Sequence, residues 1–102
     1  MGKMSKAKGY RGEHEVEGIF RKHGIDARRG RVEFREPDIV TDTPLHVEVK
    51  RCENITFPKW WKQSKEATKE GEITTLVFRR SNEKWIIAME LEDFLKLWKG
   101  EK

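Results

Sequence analysis

The sequence predicts a mixed α/β (α+β) domain with the element order αβββαββα, a central mixed β-sheet flanked by helices. Three observations carry that expectation. Apolar residues recur at helical spacing near the start, the middle and the end of the chain. Between those stretches lie short runs rich in β-branched and aromatic residues, one of them strictly alternating. The whole chain has 102 residues, the length of one domain spanning 1–102.

The elements follow in order. Residues 1–9 are rich in Gly, Lys and Ser and read as a flexible basic arm. Val16, Ile19 and Phe20 set a helix over Gly12–His23, and Gly24 stops it. Ile25 to Arg31 reads as a short basic strand running into a turn at Gly30. Pro37 to Thr41 is a second short strand, and Asp42-Thr43-Pro44 a turn. From Leu45 to Arg51 the residues alternate, with Leu45, Val47 and Val49 on one face and His46, Glu48 and Lys50 on the other. Such a strand buries one side and offers polar groups on the other. Phe57-Pro58 opens a second helix with proline in the first turn, and Gly71 closes it after Glu70. Ile73–Arg79 and Lys84–Met89 form a hairpin through Ser81-Asn82-Glu83. Leu91, Phe94, Leu95 and Trp98 mark a third helix, stopped by Gly100 and expected to cover the sheet.

Composition excludes several classes. Ten aromatic residues among 35% hydrophobic ones argue against a disordered chain. No apolar run approaches the ~20 residues of a spanning helix, and the N-terminus lacks the apolar stretch of a secretory signal. A single cysteine, Cys52, cannot form an internal disulfide, so a reducing, cytoplasmic setting is expected, with Cys52 a quiet structural thiol. His14, His23 and His46 show no zinc-ligand spacing with it. The net charge is +4, and the excess is concentrated: residues 1–35 hold ten Lys/Arg against five Asp/Glu. That asymmetry fits either a polyanionic partner, most often nucleic acid, or a solubilising surface.

The chemistry-bearing pattern is Pro37-Asp38 followed by Glu48-Val49-Lys50. Glu48 and Lys50 are two apart on a strand and share its polar face. If the two strands pair through their turn, Asp38 comes alongside Glu48. Two adjacent carboxylates repel unless a cation joins them, and hard oxygen ligands suit Mg²⁺ or Mn²⁺. The plainer reading makes Asp38 and Glu48 surface acids, with Lys50 pairing to Glu48. Trp60 and Trp61 are adjacent on a helix and cannot share one face centre. One is therefore core, and the other is free for an interface, a base or solvent.

Pro-Asp, a spacer and Glu-X-Lys together resemble the signature of the PD-(D/E)XK nuclease superfamily. Lys8-Gly9 with Glu13 on the first helix, then basic residues, makes the chain from Lys8 to about Met89 look like the small Holliday junction resolvases of archaea and phages. The resemblance implies a restriction-endonuclease-like core and a metal-dependent endodeoxyribonuclease in an archaeal or phage-encoded setting. It implies Asp38 and Glu48 as principal metal ligands, the carbonyl of Val49 as a third oxygen, and Glu13 on the metal or its water. Lys50 would orient or deprotonate the attacking water, and Gln63 on the second helix matches a glutamine of many members. Lys8, Arg11, Arg28, Arg29, Arg31 and Arg35 would contact DNA phosphates, the plainer reading of the last four being a solvated loop. Where the resolvases usually place an arginine after the first glutamate, this chain has His14, and Arg11 stands as its substitute. The implied partner is a four-way junction bound by a homodimer, its apolar contact drawn from the second or third helix, with no membrane involved. Related nucleases act on duplex, flap or single-stranded DNA, and an inactive DNA-binding fold is the alternative outside enzymes.

Overall fold

The computed structural model describes the backbone from Gly2 to Gly100 and the side chains from Tyr10 to Gly100. The elements are α1 (Gly2–Lys22), β1 (Ala27–Arg29), a 3-10 turn (Val32–Phe34), β2 (Ile39–Thr41) and β3 (Leu45–Arg51). They continue through α2 (Phe57–Ala67), β4 (Ile73–Arg79), β5 (Ile86–Ala88) and α3 (Leu91–Lys99). The predicted order αβββαββα is therefore the observed one, with the 3-10 turn added.

Boundaries differ where local sequence was ambiguous. The first helix starts at Gly2 rather than Gly12. The residues expected as a basic arm contain Lys, Met and Ala, good helix formers that extend the helix despite two glycines. The second helix ends at Ala67 rather than Glu70. There the Thr68 backbone turns extended and its hydroxyl donates to the Ser64 carbonyl at 2.7 Å.

The five strands form one sheet in sequence order, β1-β2-β3-β4-β5. The β3–β4 pair is parallel and is bridged by α2; the other neighbours are antiparallel. Helix α1 packs on β1 and β3, and α2 on β4. Register places Ala27, Ile39, Val47, Val49 and Val77 on one face, where they meet Val16 of α1 in the core cluster. On the other face Phe78 meets the rings of Phe57 and Trp60 at 5.8 and 6.0 Å. Leu76 lies on that face with no exposure at all. Each such fully buried aliphatic side chain contributes about 1.5–3 kcal/mol.

Two expectations are corrected. The polar side of β3 is not solvated throughout: His46 is 2% exposed, with its Nδ1 against Glu72 at 3.1 Å. Helix α3 does not cover the sheet. Only Met89 and Glu90 separate it from β5, too short a link to carry a helix across, and Leu91, Phe94, Leu95, Leu97 and Trp98 all remain exposed. Between α3 and the α1 side of the sheet lies an open apolar groove of about 680 Å³, lined among others by Phe20, Leu45, Ile87, Phe94 and Trp98. Trp60 is the core member of the tryptophan pair, and Trp61 is half-buried against Phe57.

Candidate active site

Asp38 stands one residue before β2. Because Ile39 pairs with Val47, Asp38 falls opposite Glu48 of β3. Two hydrogen bonds interlock them. The Asp38 N–H donates to Glu48 Oε1 at 3.1 Å, and the Val49 N–H donates to Asp38 Oδ2 at 2.8 Å. The strand pairing thus brings both carboxylates close enough to repel. Lys50, two residues along β3, lies on the same face.

The site is electrostatically uncompensated. Burial, then the negative charge of Asp38, pushes Glu48 up to about 7 from the ordinary 4.5, against the pull of the Asp38 N–H and Lys50. Burial also raises Asp38, while the Val49 N–H, Lys50, His46 and Arg29 draw it back. Neither carboxylate has an ion-pair partner among the described residues. Paired oxygen donors held close together and partly removed from water fit a hard divalent cation.

Glu13 of α1 is raised by burial and by Asp38, so it belongs to the same electrostatic cluster. Its oxygen is engaged by Arg29 Nε at 3.0 Å, and the Arg29 guanidinium lies 4.3 Å from the Tyr10 ring centre. No group of three His, Cys, Asp or Glu side chains stands assembled for a metal ion among the described residues. The candidate donor set is therefore the Asp38–Glu48 pair, with Glu13 beside it under Arg29.

The remaining predicted residues are placed unevenly. Gln63 is exposed on α2, whose buried members are Trp60 and Ser64, and no hydrogen bond joins it to the pair. The Val49 N–H donates to Asp38 Oδ2. Arg28 is held by Glu36 through 3.0 and 2.7 Å bonds, while Arg11, Arg31 and Arg35 are exposed. The side chain of Lys8 lies outside the described residues. His14 stacks on Tyr10 with centroids 6.2 Å apart and lies 3.6 Å from Glu17. Cys52 is free and exposed rather than structural, since β3 ends at Arg51. Sequence reasoning missed His46, whose Nδ1 meets Glu72 at 3.1 Å and whose Nε2 is buried without a hydrogen-bond partner among the described residues. Its parity with Glu48 and Lys50 was the available signal.

A mixed five-stranded sheet with a βαβ crossover, a helix on each face and an acidic pair at its β2–β3 junction makes this a mixed α/β fold. Within it, the chain is similar in structure to Hjc of Archaeoglobus fulgidus, a Holliday junction resolvase from an archaeal hyperthermophile. The TM-score is 0.59 and the identity 20%, over 78% of this chain and 73% of that one. No protein-family profile and no curated protein sequence matches the chain. The likeness establishes the shared fold.

Proposed function

We propose that the protein is a metal-dependent, structure-selective DNA endonuclease that resolves four-way junctions by phosphodiester hydrolysis. The observation that carries this reading is the interlocked Asp38–Glu48 pair, half-buried, without an ion-pair partner among the described residues and accompanied by Lys50 on the same strand face.

Asp38 and Glu48 would hold Mg²⁺ or Mn²⁺, with the Val49 carbonyl as a further oxygen and Glu13 joining once it leaves Arg29. The bound cation supplies Lewis acidity and a more acidic water at neutral pH. Lys50 contributes a fixed positive charge where charge builds on the phosphate, and it orients the attacking water. Arg11, Arg31 and Arg35 supply phosphate contacts, as does Lys8; Arg28 and Arg29 join them only by leaving their carboxylates. Gln63, exposed on α2, would reach the phosphate only through a movement of its side chain. The exposed apolar side of α3 and its groove make the contact of a two-fold dimer, which presents two sites to two symmetric strands. No described helix is long and apolar enough to cross a membrane.

Labelled four-way junction, Y-fork and linear duplex, each incubated with the protein with and without Mg²⁺, test the reading. Cleavage of the junction that stops in chelator and in Asp38→Asn is expected. Cleavage of all three substrates alike would leave a less selective nuclease, and none of any would reduce the site to a DNA-binding remnant.

A further inference from the structure

The loop that joins β1 to β2 carries two apolar side chains that nothing in the described molecule covers. Val32 is 89% exposed and Phe34 61% exposed, both on the single 3-10 turn. A slack loop would fold such side chains inward, whereas this one is built to hold them out. Glu36 accepts both bonds from the Arg28 guanidinium and a third, at 2.8 Å, from the Arg31 N–H. Those donors hold the Glu36 carboxyl down at about 2. Arg35 takes a left-handed conformation, φ 53°, and its N–H closes the turn on the Val32 carbonyl at 3.0 Å.

The base of the loop is fixed to the candidate site. The Gly30 N–H donates to the Asp38 carbonyl at 2.9 Å, and a Cβ on Gly30 would lie 1.7 Å from the Pro37 carbonyl oxygen. Only glycine lets the two ends of the loop meet. Phe34 is flanked by cations: the Arg31 guanidinium lies 5.8 Å from its ring centre, and Arg35 is exposed one residue on. An exposed ring between two arginines suits a surface that offers both a base face and phosphates.

We propose that the β1–β2 loop is a wedge for branched DNA. Phe34 stacks on a base left without a neighbour at the branch point, Val32 packs beside it, and Arg31 and Arg35 take the flanking phosphates. This rests on the nuclease reading above and deepens it, since it names the structural feature that selects a branch. In a continuous duplex both faces of each base are already stacked, so the ring gains nothing without forcing a step apart. At a branch the unstacked face is already available. Because Gly30 ties the loop to Asp38, a branch seated on Phe34 sets a nearby phosphodiester beside the Asp38–Glu48 pair.

The test uses a four-way junction and a linear duplex of matched sequence, each with 2-aminopurine at the branch position, in buffer with chelator so that nothing is cut. Wild type is expected to favour the junction and to change the 2-aminopurine emission there. Phe34→Ala is expected to reduce the junction-over-duplex preference by about tenfold, the size of one lost aromatic–base stack. Its duplex affinity should stay within about threefold, since the phosphate contacts remain. Phe34→Trp should restore both the preference and the emission change. Both side chains are exposed, so thermal unfolding should not move. If Phe34→Ala and the Val32→Ala/Phe34→Ala pair keep the preference and the emission change, the wedge is overturned while the nuclease reading stands. If wild type lacks any junction preference yet cuts DNA with Mg²⁺, the wedge and the junction selectivity both fail while the nuclease chemistry stands. If it neither prefers a junction nor cuts any DNA, both fail.

Discussion

Replacing Glu48 by Gln isolates the electrostatics of the site without DNA or metal. The Glu48 carboxyl is pushed from 4.5 up to about 7, first by burial and then by Asp38. A carboxyl whose folded pKa lies above its unfolded value binds more protons in the folded state between the two. Metal-free stability is therefore complete below about 4.5 and falls as pH rises through about 7. Taken whole, the shift amounts to about 3 kcal/mol. Glu48 is only partly buried, and solvent screening reduces the expected cost to about 1.5–2 kcal/mol. Gln keeps an oxygen able to accept the Asp38 N–H now bonded at 3.1 Å, so the strand junction survives. It also relieves Asp38, whose own carboxyl is raised, which acts in the same direction. In chelator near about pH 8 the variant should be the more stable protein by that margin in urea unfolding followed by tryptophan fluorescence. Near about pH 4.5 the difference should vanish. Added Mg²⁺ should reverse the order at high pH, stabilising wild type by about 2.7 kcal/mol at a hundredfold excess over Kd and Glu48→Gln far less. A variant no more stable than wild type at high pH in chelator would refute the reasoning, because Glu48 would then already be neutralised by a protein cation.

Three further outcomes are expected. Mg²⁺ affinity by calorimetry should rise as pH rises through about 7, with proton release, because Glu48 must ionise before it can coordinate; a flat profile would remove Glu48 from the donor set. Arg31→Ala with Arg35→Ala should lower the slope of log affinity against log salt by about 1.8, whereas Arg28→Ala should chiefly lower thermal stability by releasing Glu36; an unchanged slope in the first pair places the DNA elsewhere. Phe94→Ser with Trp98→Ser should leave the protomer folded and make it monomeric in sedimentation, and a wild type already monomeric at micromolar concentration would remove the α3 dimer.

The fold was legible because its elements announce themselves locally. The alternation of Leu45–Arg51 placed β3 to the residue, and Pro58 and Gly100 marked a helix start and stop. The Asp38–Glu48 pairing was legible because a short turn between strands leaves little freedom of register. What escaped is tertiary. Nothing in the alternation of β3 says that His46 will be buried against Glu72, and nothing in the stripe of α3 says that the sheet will not receive it. The 3-10 turn is held by the Glu36 carboxylate reaching back to Arg28, a contact across eight residues that periodicity cannot register.

The charge pattern of the first third shows how composition and geometry differ in what they reveal. Its surplus of arginine reads from sequence as one cationic surface, yet much of it is spent inside the protein. Arg28 is bound to Glu36 and Arg29 to Glu13, while Arg21 bonds the Ala27 carbonyl at 2.7 Å and approaches Glu17 at 3.4 Å. These pairs do structural work at places where a carboxylate would otherwise stand unneutralised: the base of the loop, the helix face and the rim of the acidic pair. Among the described residues, the arginines left exposed without a carboxylate are Arg11, Arg31 and Arg35, two of them on the loop that Gly30 ties to Asp38. Arg29 is the instructive case. Its charge lowers both Glu13 and Asp38, so it already offsets part of the negative charge beside the pair. A cation held by Asp38 and Glu48 would supply that neutralisation itself and weaken the hold of Glu13 on Arg29. On the proposed reading, metal loading and the release of an arginine toward phosphate would be two sides of one electrostatic exchange, set by the partial burial of the two carboxylates.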